Sequence, residues 1–216
     1  MAVDPLLPLV CDICARLHGR NLLAAADGNV SVLLADGRIA ITPSGVAKAR
    51  MAPGDLAFLD RDGTVLEGRP STERLMHLAV YRACPEARAV VHAHPPTAIA
   101  FSLAFPAMTH LPADALPELI LAAGSIPVAP YARPGTAAMG EQLLPFLPEH
   151  RLLILARHGA LAWGESLEEA YNGMERLEHA CQILKAAHEL GGAQPLPEAE
   201  LQALRQARVL AGRRLL

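Results

Sequence analysis

Three histidines and one glutamate in this chain have the types and spacing of a metal-assisted catalytic site. His92 and His94 stand at the end of the apolar run 89–94, which is typical of a β-strand. Because side chains alternate between the faces of a strand, both imidazoles would point to one side and could bind one ion. A catalytic zinc site needs three protein ligands and one open position, so His158 is the natural third ligand and Glu73 the natural acid or base. The simpler alternative is two histidines with ordinary hydrogen bonds at a strand end.

Three short loops rich in small polar residues have the groups that hold a phosphate. They are 28–31 (Gly-Asn-Val-Ser), 42–45 (Thr-Pro-Ser-Gly) and 70–73 (Pro-Ser-Thr-Glu). Backbone N–H groups and small hydroxyl or amide side chains bind phosphate without a formal positive charge. Ser71 and Thr72 also open a predicted helix, whose N-terminus favours an anion. Each loop alone is typical of an ordinary turn or cap, but together with a metal site they indicate a phosphorylated substrate.

Composition narrows the class of protein. A chain of 216 residues with 52% apolar residues can bury a sizeable core, and no linker divides it, so we expect one domain over 1–216. The net charge of -3 and the absence of a basic patch with aromatic residues argue against a nucleic-acid partner. The apolar runs are too short to span a membrane, and residues 1–5 lack the pattern of a signal peptide, which predicts a cytoplasmic protein.

The elements that must position these residues mix helices and strands. Helices are predicted over 6–26, 73–83, 96–104, 136–146, 167–190 and 197–210, with an irregular stretch at 105–116. Strands are predicted over 30–34, 38–41, 56–60, 64–66, 89–94, 125–129, 151–156 and 160–163. Because hairpin turns join the early strands, we predict the α/β fold class, with a mostly antiparallel central sheet covered by helices.

Two further features of the first helices stand outside this site. Cys11 and Cys14 have Cys-x-x-Cys spacing, but no second pair completes a zinc site, so packed thiols are favoured over redox chemistry.

His77 follows Glu73 by four residues on one helix face, and a hydrogen-bonded core histidine is the favoured interpretation over a role beside the site.

Six motifs of this chain, in their order, resemble those of the class II aldolase/adducin family. They are Gly28-Asn29-Val30-Ser31, Thr42-Pro43-Ser44-Gly45, Pro70-Ser71-Thr72-Glu73, His92-Ala93-His94-Pro95, the segment 130–136 and His158-Gly159. The resemblance covers about residues 5–190 and is nearest to the L-fuculose-1-phosphate aldolase branch.

This resemblance implies a three-layer α/β/α fold and a homotetramer with active sites between subunits. It also implies one Zn²⁺, or another divalent metal, per subunit. By position, the metal ligands would be His92, His94 and His158, the catalytic acid/base Glu73, and the phosphate-binding residues Gly28, Asn29, Ser44, Gly45, Ser71 and Thr72. The implied reaction is the reversible cleavage of a ketose 1-phosphate, such as L-fuculose 1-phosphate or a related deoxy sugar, to dihydroxyacetone phosphate and an aldehyde.

Other branches of the family remain as alternatives. Methylthioribulose-1-phosphate dehydratases share the Pro-Ser-x-Glu stretch and the histidines. Pentulose-5-phosphate 4-epimerases typically carry Asp where this chain has Glu73, and the sugar-acid phosphate decarboxylases typically carry Lys in the loop of Ser71 and Thr72. Adducin-like binding modules lack the metal ligands, so the three histidines favour an enzyme.

One position departs from the aldolase branch. Fuculose phosphate aldolases donate a tyrosine across the subunit interface to protonate the aldehyde oxygen, and alignment on Pro106-Ala107 puts His110 in its place. His110 would be either a catalytic proton donor, which its usual pKa near 6.5 allows, or a surface loop residue. This substitution favours a different aldehyde half, such as that of a 5-deoxy or methylthio sugar.

Overall fold

The computed structural model describes residues 4–212 and 214–215, and a β-sheet of eight strands forms the centre of this part. The strands are β1 (Asn29–Leu33), β2 (Ile39–Ile41), β3 (Ala57–Leu59), β4 (Val65–Glu67), β5 (Ala89–Ala93), β6 (Val128–Ala129), β7 (Leu152–Leu155) and β8 (Gly159–Gly164). The α-helices are α1 (Leu6–Gly19), α2 (Arg74–Ala83), α3 (Pro96–Ala104), α4 (Pro117–Ala122), α5 (Ala138–Glu141), α6 (Leu167–Glu189) and α7 (Glu198–Leu210). Short 3₁₀ turns lie at Lys48–Arg50, Pro53–Asp55 and Leu144–Phe146.

The sheet is mixed. Its strand order is β4-β3-β2-β1-β5-β8-β7-β6, and every pairing between described neighbours is antiparallel except β6 with β7, which is parallel. The chain between β6 and β7 contains α5 and a 3₁₀ turn, since a parallel pair requires a crossover rather than a hairpin. The predicted α/β fold with helices covering a central sheet is confirmed, whereas the sheet, predicted to be mostly antiparallel, is mixed because β6 pairs with β7 in parallel.

Helices cover both faces of the sheet. On one face α1, α3 and α6 pack over the strands through residues such as Val91, Ala162 and Met174. On the other face α2 and α5 pack against Val90 and Trp163, among others. Neighbouring strand residues therefore serve opposite cores, as alternation along β5 requires. This gives helix, sheet and helix layers.

The first helix is shorter than predicted. It ends at Gly19 instead of continuing to about residue 26, because Asn21 (φ 59°) and Ala25 (φ 48°) adopt left-handed backbone conformations. The apolar residue Leu22, which extended the helical pattern, is buried in the following loop instead. Its carbonyl accepts a hydrogen bond of 2.8 Å from the backbone N–H of His94, so this loop supports the end of β5.

Two other segments differ from their predictions. Pro117–Ala122 forms α4, which packs against α7, although sequence periodicity gave no helix there. The single helix predicted over 136–146 is two short pieces, α5 and the turn Leu144–Phe146, because Pro145 cannot continue an α-helix.

Two expectations concern membranes and targeting. Among the described residues no helix is long and apolar enough to cross a membrane. Residues 1–3, on which the expectation of no signal peptide partly rests, lie outside the described part of the chain.

Candidate active site

The three histidines come together at one end of the central strands. His92 is fully buried on β5, His94 follows the end of that strand, and His158 precedes β8. Because β5 and β8 are antiparallel neighbours, the turn that enters β8 lies beside the end of β5. One ring nitrogen from each histidine lies within 4.8 Å of the other two. The structure therefore assembles the predicted ligand set.

The nitrogen atoms of this cluster fit a divalent cation. His92 Nδ1 lies 2.8 Å from the Ala160 carbonyl oxygen and donates to it, which leaves Nε2 as the nitrogen that faces the cluster. That Nε2 lies 3.2 Å from His94 Nε2 and 3.3 Å from Glu73 Oε2. Burial, and then the charges of His92 and His158, lower the pKa of His94 to about 4, so His94 is neutral near pH 7. Imidazole nitrogens that converge in this way are donors that zinc prefers.

Gly159 permits the close approach of the His158 turn to β5. A Cβ atom at this position would overlap the carbonyl oxygen of Ala93 and would lie 3.0 Å from His92 Cε1. Any larger residue at 159 would therefore push the turn away from the other two histidines. This is the physical reason for a glycine next to the third ligand.

Glu73 lies directly against the histidine cluster. It precedes α2, and its Oε1 and Oε2 atoms each lie 3.3 Å from a ring nitrogen, of His158 and His92 respectively. Asn29 Nδ2 donates a hydrogen bond of 2.8 Å to Oε2. Burial alone would raise the pKa of Glu73, but its contacts with the imidazoles of His158 and His92 and the hydrogen bond from Asn29 outweigh burial and hold the pKa below its usual range. Glu73 is therefore an ionised carboxylate against two of the three imidazoles.

The three predicted phosphate loops are neighbours in the structure. Val30 N–H donates to Thr42 Oγ1 (3.2 Å), which joins the first loop to the second. Ser71 N–H donates to the Thr42 carbonyl (3.1 Å), and Ser44 N–H to the Arg69 carbonyl (3.0 Å), which joins the second to the third.

The six residues of these loops that were predicted to bind phosphate differ in their exposure and in their contacts. Gly45 and Thr72 are exposed, Ser44 is half-buried and Ser71 is buried. Gly28 (φ +67°) lies against β5, where a Cβ atom would lie 2.8 Å from the His92 carbonyl oxygen. Asn29 is buried and directs its amide to Glu73. The exposed loop residues are accessible to a phosphate, whereas Gly28 packs against β5 and Asn29 contacts Glu73 inside the site.

Lys48 joins two of these loops, and sequence analysis missed it. The residue is 1% exposed, and its ammonium donates hydrogen bonds to the carbonyl oxygens of Ala26 (3.1 Å), Pro43 (3.0 Å) and Val46 (2.8 Å). Loss of hydration on burial lowers its pKa. Ala26 lies just before loop 28–31, Pro43 lies within loop 42–45 and Val46 follows it. A single lysine between two alanines carries no local signal of burial, so only the fold reveals this role.

His110 lies away from this cluster within its own subunit. It is exposed, pairs with Pro127 in an isolated β-bridge, and lines a cleft of about 1110 Å³ between α3, the loop after it and the end of α6. Glu73 and the three histidines do not line that cleft. The structure therefore does not bring the predicted catalytic residue His110 together with Glu73 and the three histidines.

Comparison with known proteins decides the family. The profile of the class II aldolase and adducin N-terminal domain matches residues 9–184. The chain belongs to this family. The resemblance seen in the six sequence motifs is thus confirmed, and the enzymes of the family to which this chain is similar include lyases, both aldolases and decarboxylases.

Named relatives lie on more than one branch of the family. The chain is 34% identical over 174 residues to the 3-oxo-tetronate 4-phosphate decarboxylase of Escherichia coli K12, with 80% of this chain and 82% of that protein covered. It is 32% identical over 195 residues to the 5-deoxy-D-ribulose 1-phosphate aldolase of Bacillus thuringiensis, with 88% of each covered. A solved structure of L-fuculose 1-phosphate aldolase superposes with a TM-score of 0.85 at 29% identity, over 95% of this chain and 97% of that one.

Proposed function

We propose that this chain is a cytoplasmic, zinc-dependent aldolase that cleaves a ketose 1-phosphate to dihydroxyacetone phosphate and a short aldehyde. The observation that carries the proposal is the contact of Glu73 with two of three convergent imidazoles, beside loops that suit a phosphate. This combination suits breaking a carbon–carbon bond next to a ketone, where a proton must be supplied to carbon.

The metal would be held by His92, His94 and His158. When bound, it supplies a Lewis acid that withdraws charge from the ketone oxygen of the substrate. The substrate phosphate would bind at the exposed loop residues beside the N-terminus of α2, where the helix dipole favours an anion. This fixes the distance from phosphate to reacting carbon.

The chain's own groups then move two protons. Cleavage breaks the bond between C3 and C4, and its electron pair stays with the three-carbon phosphate fragment. Glu73 delivers a proton to C3 of that fragment, or removes it in the synthetic direction. The hydroxyl on C4 must lose its proton as the aldehyde forms. His110 of a neighbouring subunit is our candidate for that proton, which makes a homotetramer with sites between subunits part of the proposal.

A decarboxylase is the second candidate, because the chain is 34% identical to a 3-oxo-tetronate 4-phosphate decarboxylase. A 3-oxo acid that loses carbon dioxide leaves the same three-carbon phosphate fragment, so metal, phosphate loops and Glu73 would serve both reactions. Decarboxylation removes no hydroxyl proton and would not use His110. The loop at Ser71 and Thr72 lacks the lysine typical of the family's decarboxylases, which favours the aldolase.

A coupled assay for dihydroxyacetone phosphate separates the candidates. The panel contains L-fuculose 1-phosphate, 5-deoxyribulose 1-phosphate, methylthioribulose 1-phosphate and 3-oxo-tetronate 4-phosphate, each with chelator and after return of zinc. Zinc-dependent release together with an aldehyde supports the aldolase. Release together with carbon dioxide only from the 3-oxo acid would replace it by the decarboxylase. No release from any substrate by protein that holds zinc would move a dehydratase or an epimerase to the front.

A further inference from the structure

Five polar side chains form a chain of hydrogen bonds that leads from the active site into the protein, and its three inner members, Asn29, His77 and Ser31, are buried. Asn29 Nδ2 donates to Glu73 Oε2 (2.8 Å), and Asn29 Oδ1 is hydrogen-bonded to His77 Nε2. His77 Nδ1 then lies 2.7 Å from Ser31 Oγ, which lies 2.9 Å from Tyr81 OH. The chain alternates between two elements: position 73 just before α2 and positions 77 and 81 within it follow one helix face, and positions 29 and 31 lie on one face of β1.

The Asn29 amide sets the direction of every bond in this chain. Its nitrogen donates to Glu73, and its oxygen, which can only accept, faces His77. His77 therefore donates from Nε2. Burial first, and the charge of His92 second, lower the pKa of His77 to about 3, so the ring is neutral and Nδ1 accepts from Ser31. Ser31 in turn accepts from Tyr81.

We propose that His77 is a positioning residue that holds the Asn29 amide in the one orientation that directs its N–H group to Glu73. The inference rests on the proposed function, in which Glu73 moves the proton at carbon. Without a donor at His77, the buried amide oxygen of Asn29 would lose its partner, and a flip of the amide would set its oxygen against the carboxylate. Either change would displace the Glu73 carboxylate from the position in which it can transfer a proton to the reacting carbon.

Two amide substitutions at position 77 test this with matched chemistry. His77→Gln is long enough to donate an N–H to Asn29 Oδ1, whereas the shorter His77→Asn reaches only the place of Nδ1. Both replace a buried ring by a buried amide. We expect kcat/KM to fall about tenfold to a hundredfold in H77N, the range for losing one hydrogen bond to a charged group, and to stay within about threefold in H77Q. Equal decreases of kcat/KM in zinc-loaded H77N and H77Q would overturn the proposal.

A double-mutant cycle checks that His77 acts through Asn29. In an Asn29→Ala background, the further change H77N should leave kcat and KM unchanged, because the group it positions is absent. A merely structural histidine would instead add its full effect to that of N29A. Additive losses would therefore contradict the proposal.

A third measurement needs no turnover and no variant. The ¹⁵N chemical shifts of histidine-labelled, zinc-loaded wild-type protein report which ring nitrogen of His77 holds the proton. We expect a proton on Nε2 and none on Nδ1. A proton on Nδ1 would show that the hydrogen bonds run in the opposite direction and would contradict the proposal. If wild type releases no product from any substrate, the proposed function fails, whereas this spectrum still tests the bond that His77 makes.

Discussion

Acid should destabilise this protein in part through His77. In the unfolded chain the imidazole takes up a proton near pH 6.5, whereas in the folded protein burial keeps it neutral down to about pH 3. Between these values the unfolded state binds one more proton than the folded state. The free energy of unfolding must therefore fall as pH falls, and this contribution is fully present above pH 6.5.

The size of the effect follows from the same two pKa values. Each pH unit in this window removes about 1.4 kcal/mol, so between pH 6.5 and pH 4 the contribution of His77 decreases by about 3 kcal/mol. The control is His77→Gln, which keeps a buried polar group but cannot titrate. The assay is urea unfolding of both proteins from pH 7 to pH 4, with chelator present so that release of metal does not contribute.

The difference between the two unfolding free energies is the quantity to follow. Wild type should lose its advantage over H77Q steadily as pH falls, because the other titrating groups are common to both proteins and cancel. Parallel curves across the whole range would refute the reasoning. They would mean that His77 takes up its proton in the folded protein at the same pH as in the unfolded chain.

Four further predictions concern the site. Glu73→Gln should lower kcat by about 10²–10⁴-fold while bound zinc, measured by elemental analysis, stays near wild type; unchanged turnover would remove Glu73 as the proton carrier. Lys48→Met leaves three carbonyl oxygens without their partner and should lower the free energy of unfolding in urea by about 1–3 kcal/mol; an unchanged free energy would show that the loops hold without this lysine. Gly159→Ala should lower zinc affinity by about tenfold or more in a chelator competition, since its methyl group displaces the His158 turn; wild-type affinity would contradict that geometry. His110→Ala should slow aldehyde release but leave the metal-dependent exchange of the C3 proton of dihydroxyacetone phosphate intact, and unchanged cleavage would exclude His110 from the mechanism.

Local sequence determined the parts of the site that depend on periodicity and loop chemistry. Strand alternation put His92 and His94 on one side, and their nitrogens indeed meet. The helix that follows Glu73 and the small polar loops were also predictable, because caps and turns are chosen by residues that are close in the chain. The order of the motifs along the chain was sufficient to recognise the family.

Tertiary structure alone decided how those parts meet. The register that sets Asn29 opposite His92 joins strands about sixty residues apart, and no local pattern encodes it. The same holds for the parallel edge at β6 and for the end of α1 at Gly19, where a loop supporting β5 outweighs the helical pattern of the sequence. Lys48 was missed for this reason as well, since its burial depends on carbonyls from two loops. Periodicity shows which face of an element is buried, but the pairing of elements is selected by the packing and hydrogen bonding of the whole chain.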